Sequence, residues 1–271
     1  MTDLDSIHVT RWGSSGPRIV LVHGGVQGTR RGGATHFARQ EQLAAQGFQL
    51  IVPDRPGHGQ SRAPGRPDDA EADGAWVAEL LGDGAHLVGH SFGGCVALNA
   101  AARRPSAVKT LSLIEPAMQS VAANRLPVAL FLVRLLATIK LSFSPETRIK
   151  RFSKLMHIPP EIGDASSHEE VVAMGKASAA IRLPSKQALE GQLATVKQNA
   201  IPFTVVSGGW GPGVDVTAER VAELGGGRHV IIESPHHFPQ LISDAFNELL
   251  LAEIAAHREP RVSTSGPEPR T

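Results

Sequence analysis

One serine of the sequence has neighbours that could make it a nucleophile. Ser91 is the third residue of the run Gly-His-Ser-Phe-Gly-Gly at positions 89–94. A serine hydroxyl is a poor nucleophile at neutral pH, so it needs a base within hydrogen-bond distance and a third group that fixes the tautomer of that base. Such a set of three groups performs acyl transfer, and the chain offers 12 histidines from which the base could come.

The residues on both sides of Ser91 predict the elements that position it. Residues 85–88 are an apolar run typical of a buried strand, and residues 95–102 are dense in small helix-forming residues. A serine between a strand and a helix, with a glycine two residues away on each side, is the nucleophile elbow G-x-S-x-G. We expect that a β-carbon at Gly89 or Gly93 would collide with the strand or helix, and that the tight turn strains Ser91.

Strands and helices alternate along most of the chain. Apolar runs at 18–23, 48–54 and 108–114 predict strands, separated by helical segments, and strands return at 201–207 and 228–233. This order favours a mostly parallel sheet flanked by helices. Residues 117–195 are helical by pattern, without a strand between the helices.

Four motifs in this order resemble those of the α/β-hydrolases. They are the elbow, Leu-Val-His-Gly-Gly at 21–25, Asp-Arg-Pro-Gly-His-Gly-Gln-Ser at 54–61 and His-Phe-Pro at 237–239. The resemblance covers residues 7–116 and 200–258. It implies an α/β-hydrolase core formed by residues 1–116 and 196–258, with a helical cap at 117–195 inserted after strand 6 of the family's fold. The tail at 259–271 is rich in Pro, Ser, Thr and charge, and we expect it to be disordered.

The resemblance also assigns the base and the acid. The family's base lies in a loop between the last strand and the last helix, often followed by Phe and Pro, so His237 aligns with it and the neighbouring His236 does not. The family's usual acid slot, after the seventh strand, holds Trp210 or Gly211. Glu115 ends the sixth strand, the alternative acid position, and with His-Phe-Pro it resembles the lactone hydrolases of the zearalenone type. We therefore expect Glu115 to be the acid in preference to Asp215, whose ordinary role would be a helix N-cap.

The remaining motif residues are assigned to the oxyanion hole or to the scaffold. The amide of Phe92 and an amide after His23-Gly24 should hold the oxyanion; Gly25 is the matching position, with Val26 next in line. We interpret His23, Asp54, His58 and Ser61 as structural. The resemblance and the absence of metal-ligand spacing predict neither a cofactor nor a metal.

Composition narrows the possible partners and location. The chain has 271 residues, 27 Lys+Arg against 26 Asp+Glu and a net charge of +1, so we expect no nucleic-acid or membrane partner. Residues 126–141 are strongly apolar but contain Arg134 and Lys140 and fall short of the roughly 20 residues that span a bilayer. We expect a buried or groove-lining helix there. One cysteine, Cys95, and no visible signal peptide at the N-terminus predict a cytoplasmic protein.

The expected activity is hydrolysis of a carboxylic ester or lactone, a small-molecule substrate, through an acyl-enzyme. A serine at the elbow argues against epoxide hydrolases and haloalkane dehalogenases, which need a carboxylate there. Other serine members of the fold cleave C–C bonds or act as aminopeptidases, lyases or perhydrolases, and some members bind ligands without catalysis. The sequence leaves the substrate and the oligomeric state open.

Overall fold

A seven-stranded sheet forms the centre of the computed structural model, which describes residues 6–163 and 165–257. The strand order is β1-β3-β2-β4-β5-β6-β7; β1 runs antiparallel to β3, and all other neighbours are parallel. This arrangement confirms the predicted fold class. The strands are β1 (Val9–Trp12), β2 (Arg18–Val22), β3 (Gln49–Pro53), β4 (Ala85–His90), β5 (Val108–Ile114), β6 (Phe203–Ser207) and β7 (Arg228–Ile231).

Helices cover both faces of the sheet. Within β2, Val20 and Val22 pack in one core cluster and Ile19 and Leu21 in the other, because successive side chains of a strand point to opposite faces. The helices are α1 (Gly33–His36), α2 (Ala70–Leu80), α3 (Phe92–Arg103), α4 (Leu126–Lys140), α5 (Pro145–Leu155), α6 (Pro160–Gly163), α7 (His168–Ser178), α8 (Lys186–Gln198), α9 (Pro212–Gly225) and α10 (Ala245–Ala256), with 3-10 turns at Ala38–Gln46, Pro105–Ala107, Gln119–Ala122 and Pro239–Leu241.

The inserted helices follow β5, which is the sixth strand in the family's count. Of these, α8 packs with the core, since Leu189, Leu193 and Val196 belong to the cluster that also contains the apolar residues of α3. The cap boundaries 117–195 stay a prediction, and α8 is the helix within them that shares this core cluster with α3. The predicted tail at 259–271 lies outside the described residues.

Two helices matter for the site. In α4 the single buried residue is Val128 and the helix lines a cavity, so the expectation of a groove-lining helix is confirmed and that of a buried helix is wrong. Helix α9 begins at Pro212, because Gly211 is extended and Pro212 has the fixed φ suited to a first helical position. Among the residues described, none of the helices combines the length and the hydropathy required to cross a membrane.

Candidate active site

Ser91 lies at the sharp turn between β4 and α3. Its φ of 55° is in the left-handed region that non-glycine residues rarely adopt, as the elbow predicts. The backbone N–H of Ser91 donates to the carbonyl oxygen of Ile114 on β5 at 2.9 Å, which fixes the turn against the next strand. A β-carbon at Gly89 would come within 2.5 Å of the Gly93 carbonyl oxygen, and one at Gly93 would meet the Val22 carbonyl oxygen.

His237 reaches Ser91 from the loop after β7. The Ser91 hydroxyl donates to Nε2 of His237 at 2.9 Å. The backbone carbonyl of His237 accepts a hydrogen bond from Nε2 of His90 at 2.7 Å, which ties the loop to the residue preceding the serine. His237 is buried. The lone pair of Nε2 is therefore held at the hydroxyl proton that a general base would remove.

Glu115, the first residue after β5, accepts a hydrogen bond from the ring N–H of His237. Nδ1 of His237 donates to Oε2 of Glu115 at 2.5 Å. The second carboxylate oxygen, Oε1, accepts the backbone N–H of Gly208 and the indole N–H of Trp210, each at 2.8 Å. The carboxylate is fully buried. Its three hydrogen-bond donors offset the cost of removing the carboxylate from water. Glu115 also has a positive φ, 42°.

Asp215 lies elsewhere. Its carboxylate accepts the hydroxyl of Ser207 at 2.6 Å and the backbone N–H of Gly209 at 3.1 Å. It lies in the first turn of α9 rather than at the N-cap position, which Gly211 occupies. Asp215 thus shapes the loop after β6, and the structure brings Glu115, not Asp215, to His237.

The two expected oxyanion donors come from the start of α3 and from the loop after β2. Phe92 is the first residue of α3, where a backbone N–H has no intrahelical acceptor, and the helix dipole favours negative charge. Gly25, which has a φ of 92°, and Val26 follow β2. Phe92, Gly25 and Val26 line the same cavity as Ser91. Gly24 permits this approach, because a β-carbon there would come within 2.5 Å of the Ser91 β-carbon.

A buried arginine holds the loop that contains Gly25. The guanidinium of Arg55 donates to the carbonyl oxygens of His23 at 2.9 Å and of Gly25 at 3.3 Å. Its charge is matched by Asp68 at 2.7 Å and Asp73 at 3.0 Å. The sequence analysis missed this residue. The available signal was an arginine inside the 54–61 motif, next to Asp54, which was interpreted as structural.

The residues interpreted as structural form hydrogen bonds with the scaffold. Nδ1 of His23 donates to the Gly24 carbonyl at 2.7 Å, and Nε2 accepts the Arg55 backbone N–H at 2.8 Å. Asp54 accepts the N–H of Gly33 at 2.8 Å, and the hydroxyl of Ser61 donates to the backbone carbonyl of Asp54 at 2.7 Å.

Four fully buried histidines surround the site as neutral rings. Burial, with the nearby positive charge of Arg55, lowers the pKa of His58 to about 3, and burial next to His58 lowers the pKa of His36 to about 3. Burial also places the pKa values of His23 and His90 well below the usual range. These rings therefore add no positive charge beside His237 near neutral pH.

A cavity of about 260 Å³ begins at Ser91 and extends under the inserted helices. Ser91, His237, Gly25 and Phe92 lie at one end. The walls are mostly apolar side chains from α4, α5 and α7, among them Phe131, Leu135, Ile149, Phe152, Met156 and Met174. The arrangement suits an apolar ligand with one polar group directed at the serine.

Trp210 was also missed as a site residue. It lies in the loop after β6, and its indole N–H donates to Glu115. The available signal was that the stretch expected to hold the usual acid has Trp210 or Gly211 instead, because an acid that comes from a different strand needs its own hydrogen-bond donors.

Comparisons with known proteins agree with the fold and the motif order. The family model described as "alpha/beta hydrolase fold" matches residues 17–156. Lipase LipV of Mycobacterium tuberculosis (strain ATCC 25618 / H37Rv) is 33% identical over 195 residues, 69% of this chain and 71% of that protein. The pimeloyl-[acyl-carrier protein] methyl ester esterase of Chromobacterium violaceum is 40% identical over 104 residues, 36% of this chain and 37% of that protein.

A solved structure extends the agreement to the whole fold. A hydrolase from Pseudomonas aeruginosa PA01 superposes with a TM-score of 0.66 at 20% identity, covering 92% of this chain and 94% of that one. At this identity the likeness concerns the fold. The family-model match, which spans half of the sequence, and the similarity to LipV show that the chain belongs to the α/β-hydrolase fold family.

Proposed function

We propose that the protein is a serine hydrolase that cleaves a carboxylic ester or lactone through an acyl-enzyme. The observation that carries the proposal is the continuous chain of hydrogen bonds from Glu115 through His237 to the hydroxyl of Ser91, at the end of an apolar cavity. Relatives named as a lipase and a methyl ester esterase support an ester substrate.

In the first half-reaction, the Ser91 oxygen attacks the carbonyl carbon while Nε2 of His237 takes the hydroxyl proton. The carbonyl oxygen becomes an oxyanion that the amides of Phe92 and Gly25 stabilise. Glu115 stabilises the imidazolium, because its carboxylate already accepts a hydrogen bond from the Nδ1–H of His237. Nε2 then returns its proton to the leaving alkoxide, and the alcohol departs. With a lactone, the alcohol stays attached to the acyl chain.

In the second half-reaction, water replaces the alcohol. Nε2 of His237 takes a proton from the water as its oxygen attacks the acyl carbon, and the same oxyanion forms again. Collapse of this intermediate breaks the bond to the Ser91 oxygen, which regains the proton. The product is a carboxylic acid, or a hydroxy acid when the substrate is a lactone, and the enzyme returns to its starting state without a cofactor.

The apolar cavity supports a bulky, weakly charged small molecule as substrate. Helices α4 to α7 supply most of its walls, and we propose that they act as the cap that selects the substrate. Because burial of each methylene contributes about 0.8 kcal/mol, lengthening an acyl chain by two methylenes should raise kcat/KM about tenfold until the cavity is filled. We also propose a cytoplasmic location, on the basis of the single cysteine.

The test is turnover of a panel of p-nitrophenyl esters and simple lactones of increasing chain length, with Ser91→Ala as the paired variant. We expect multiple turnovers that depend on Ser91, with kcat/KM rising with chain length. Absence of turnover on every ester and lactone would indicate a ligand-binding member of the fold. Comparable kcat/KM for acetate and longer acyl groups would contradict the role given to the cavity.

A further inference from the structure

Helix α4 is apolar on two opposite faces. One face contributes Phe131, Leu135 and Ile139 to the cavity above Ser91. The opposite face carries Leu126, Leu130 and Val133, whose exposed fractions are 71%, 52% and 63%. A helix of a water-soluble domain normally has a polar outer face, so an apolar one needs a partner.

The exposed apolar surface continues past the end of the helix. Leu141 is 64% exposed, and Phe143, in the connection to α5, is fully exposed. We call Leu126, Leu130, Val133, Leu141 and Phe143 together the α4 face. The first three recur at a spacing of four and three residues, so they lie side by side along the helix. Leu136, which is also exposed, lines the cavity above Ser91 and borders this face.

The segment of the chain that carries the α4 face is strongly basic. Residues 125–155 contain seven Lys and Arg and one Glu, a net charge of +6, whereas the whole chain carries +1. Arg134, Arg151 and Lys154 line a groove together with Leu126 and Leu130, so the cations and the apolar side chains share one surface. Over the part of the chain that the structure describes, none of these three cations forms an ion pair.

We propose that the α4 face docks on a lipid bilayer surface that carries anionic headgroups. The apolar side chains would enter the boundary between headgroups and acyl chains, and Arg134, Arg151 and Lys154 would lie at the level of the phosphates. Charge complementarity selects this occupant over a second copy of the chain. A two-fold interface would place one +6 segment against the same segment of the partner, which is repulsive.

The dimensions of α4 fit a helix that lies in the plane of the membrane surface. It has 15 residues, fewer than the roughly 20 that span a bilayer. Its inner face lines the cavity, so a docked protein would hold the cavity next to the lipid. The nearly balanced charge of the whole sequence predicted no membrane partner. This inference departs from that expectation, because positive charges are clustered in residues 125–155.

The test is flotation of the purified protein with vesicles, either of phosphatidylcholine alone or of phosphatidylcholine with phosphatidylglycerol. We expect binding to the anionic vesicles that weakens as salt is added. Arg134→Gln with Lys154→Gln should lower the partition coefficient roughly thirtyfold, given the usual contribution of a surface cation. Leu130→Ser with Val133→Ser should lower it about tenfold.

Matched controls separate the α4 face from general surface effects. Lys109→Gln and Ile231→Ser change an exposed cation and an exposed apolar residue elsewhere, and both should float like the wild type. None of the substituted residues lines the cavity at Ser91, so turnover of a short water-soluble ester should be unchanged, and flotation does not depend on activity.

Three outcomes would overturn the inference. One is the absence of binding to anionic vesicles at low salt. Another is flotation of both α4-face variants equal to that of the controls. The third is a dimer, seen by sedimentation velocity without lipid, that Leu130→Ser with Val133→Ser dissociates, since that result would give the α4 face to a second copy of the chain.

Discussion

The indole N–H of Trp210 donates to Oε1 of Glu115 at 2.8 Å, so the loop after β6 supplies a hydrogen-bond donor to a carboxylate that follows β5. The acid therefore comes from the end of β5, and the loop after β6 contributes two of its donors, the indole of Trp210 and the amide of Gly208. Oε2 is left for Nδ1 of His237. The loop after β6 acts through Glu115, and Trp210 is a positioning residue.

Trp210→Phe removes this donor and keeps an aromatic ring. We expect kcat to fall about tenfold with little change in KM, because a hydrogen bond to a buried charge is worth about 1.5–3 kcal/mol and the remaining donors retain part of the geometry. Trp12→Phe on β1 is the matched control and should keep the wild-type kcat. A kcat in Trp210→Phe equal to that of the wild type would count against the positioning role.

Glu115→Gln and Asp215→Asn distinguish the two candidate acids. Glu115→Gln should lower kcat by roughly four powers of ten with little change in melting temperature, because His237 loses its tautomer and its counter-charge. Asp215→Asn should keep most of kcat and lower stability by about 1 kcal/mol, since its carboxylate accepts only loop donors. If Asp215→Asn were the inactive variant and Glu115→Gln turned over, the assignment of the acid would be wrong.

The sequence predicted which side chains meet at Ser91 better than it predicted the residues that support them. Ser91, His237 and Glu115 follow strand ends in motifs that depend on local turns, and the structure brings the three together. Arg55 and Trp210 act on distant segments, so their sequence neighbourhoods do not show which groups they bind. Helix α8 was assigned to the cap because its pattern is helical, but only packing shows that Leu193 faces the core. The cytoplasmic location stays a prediction.

The buried histidines make stability depend on pH. His58 has a pKa of about 3 in the folded protein and about 6.5 when unfolded, so below pH 6.5 the unfolded state binds more protons and stability falls as the pH falls. One such group contributes about 1.4 kcal/mol per pH unit between these values. His58→Gln should flatten the slope by nearly that amount in urea unfolding between about pH 5.5 and pH 4. Equal slopes for the variant and the wild type would contradict this account; the exposed His168→Gln serves as control.

Cys95 should not react in the folded protein. Burial raises the pKa of its thiol to about 12, and Sγ donates to the Ala117 carbonyl at 3.4 Å. The thiol is therefore not ionised near neutral pH, and a reagent in solution cannot reach it. Titration with a disulfide reagent should give no product in buffer and one equivalent per chain in guanidinium chloride, with Cys95→Ser giving none in either. Rapid reaction of the native protein would show that the helix after the elbow opens.

The central claim is that Ser91 becomes acylated, and a fluorophosphonate probe followed by intact mass measurement tests it most directly. The probe needs a serine oxygen activated by a base, and its phosphonyl oxygen occupies the position of the oxyanion. We predict a single adduct, located on Ser91 by peptide mapping, that is absent in Ser91→Ala, slowed by several powers of ten in His237→Ala and retained in Ser234→Ala. An adduct that persists in Ser91→Ala, or no adduct on the wild-type protein, would contradict the account.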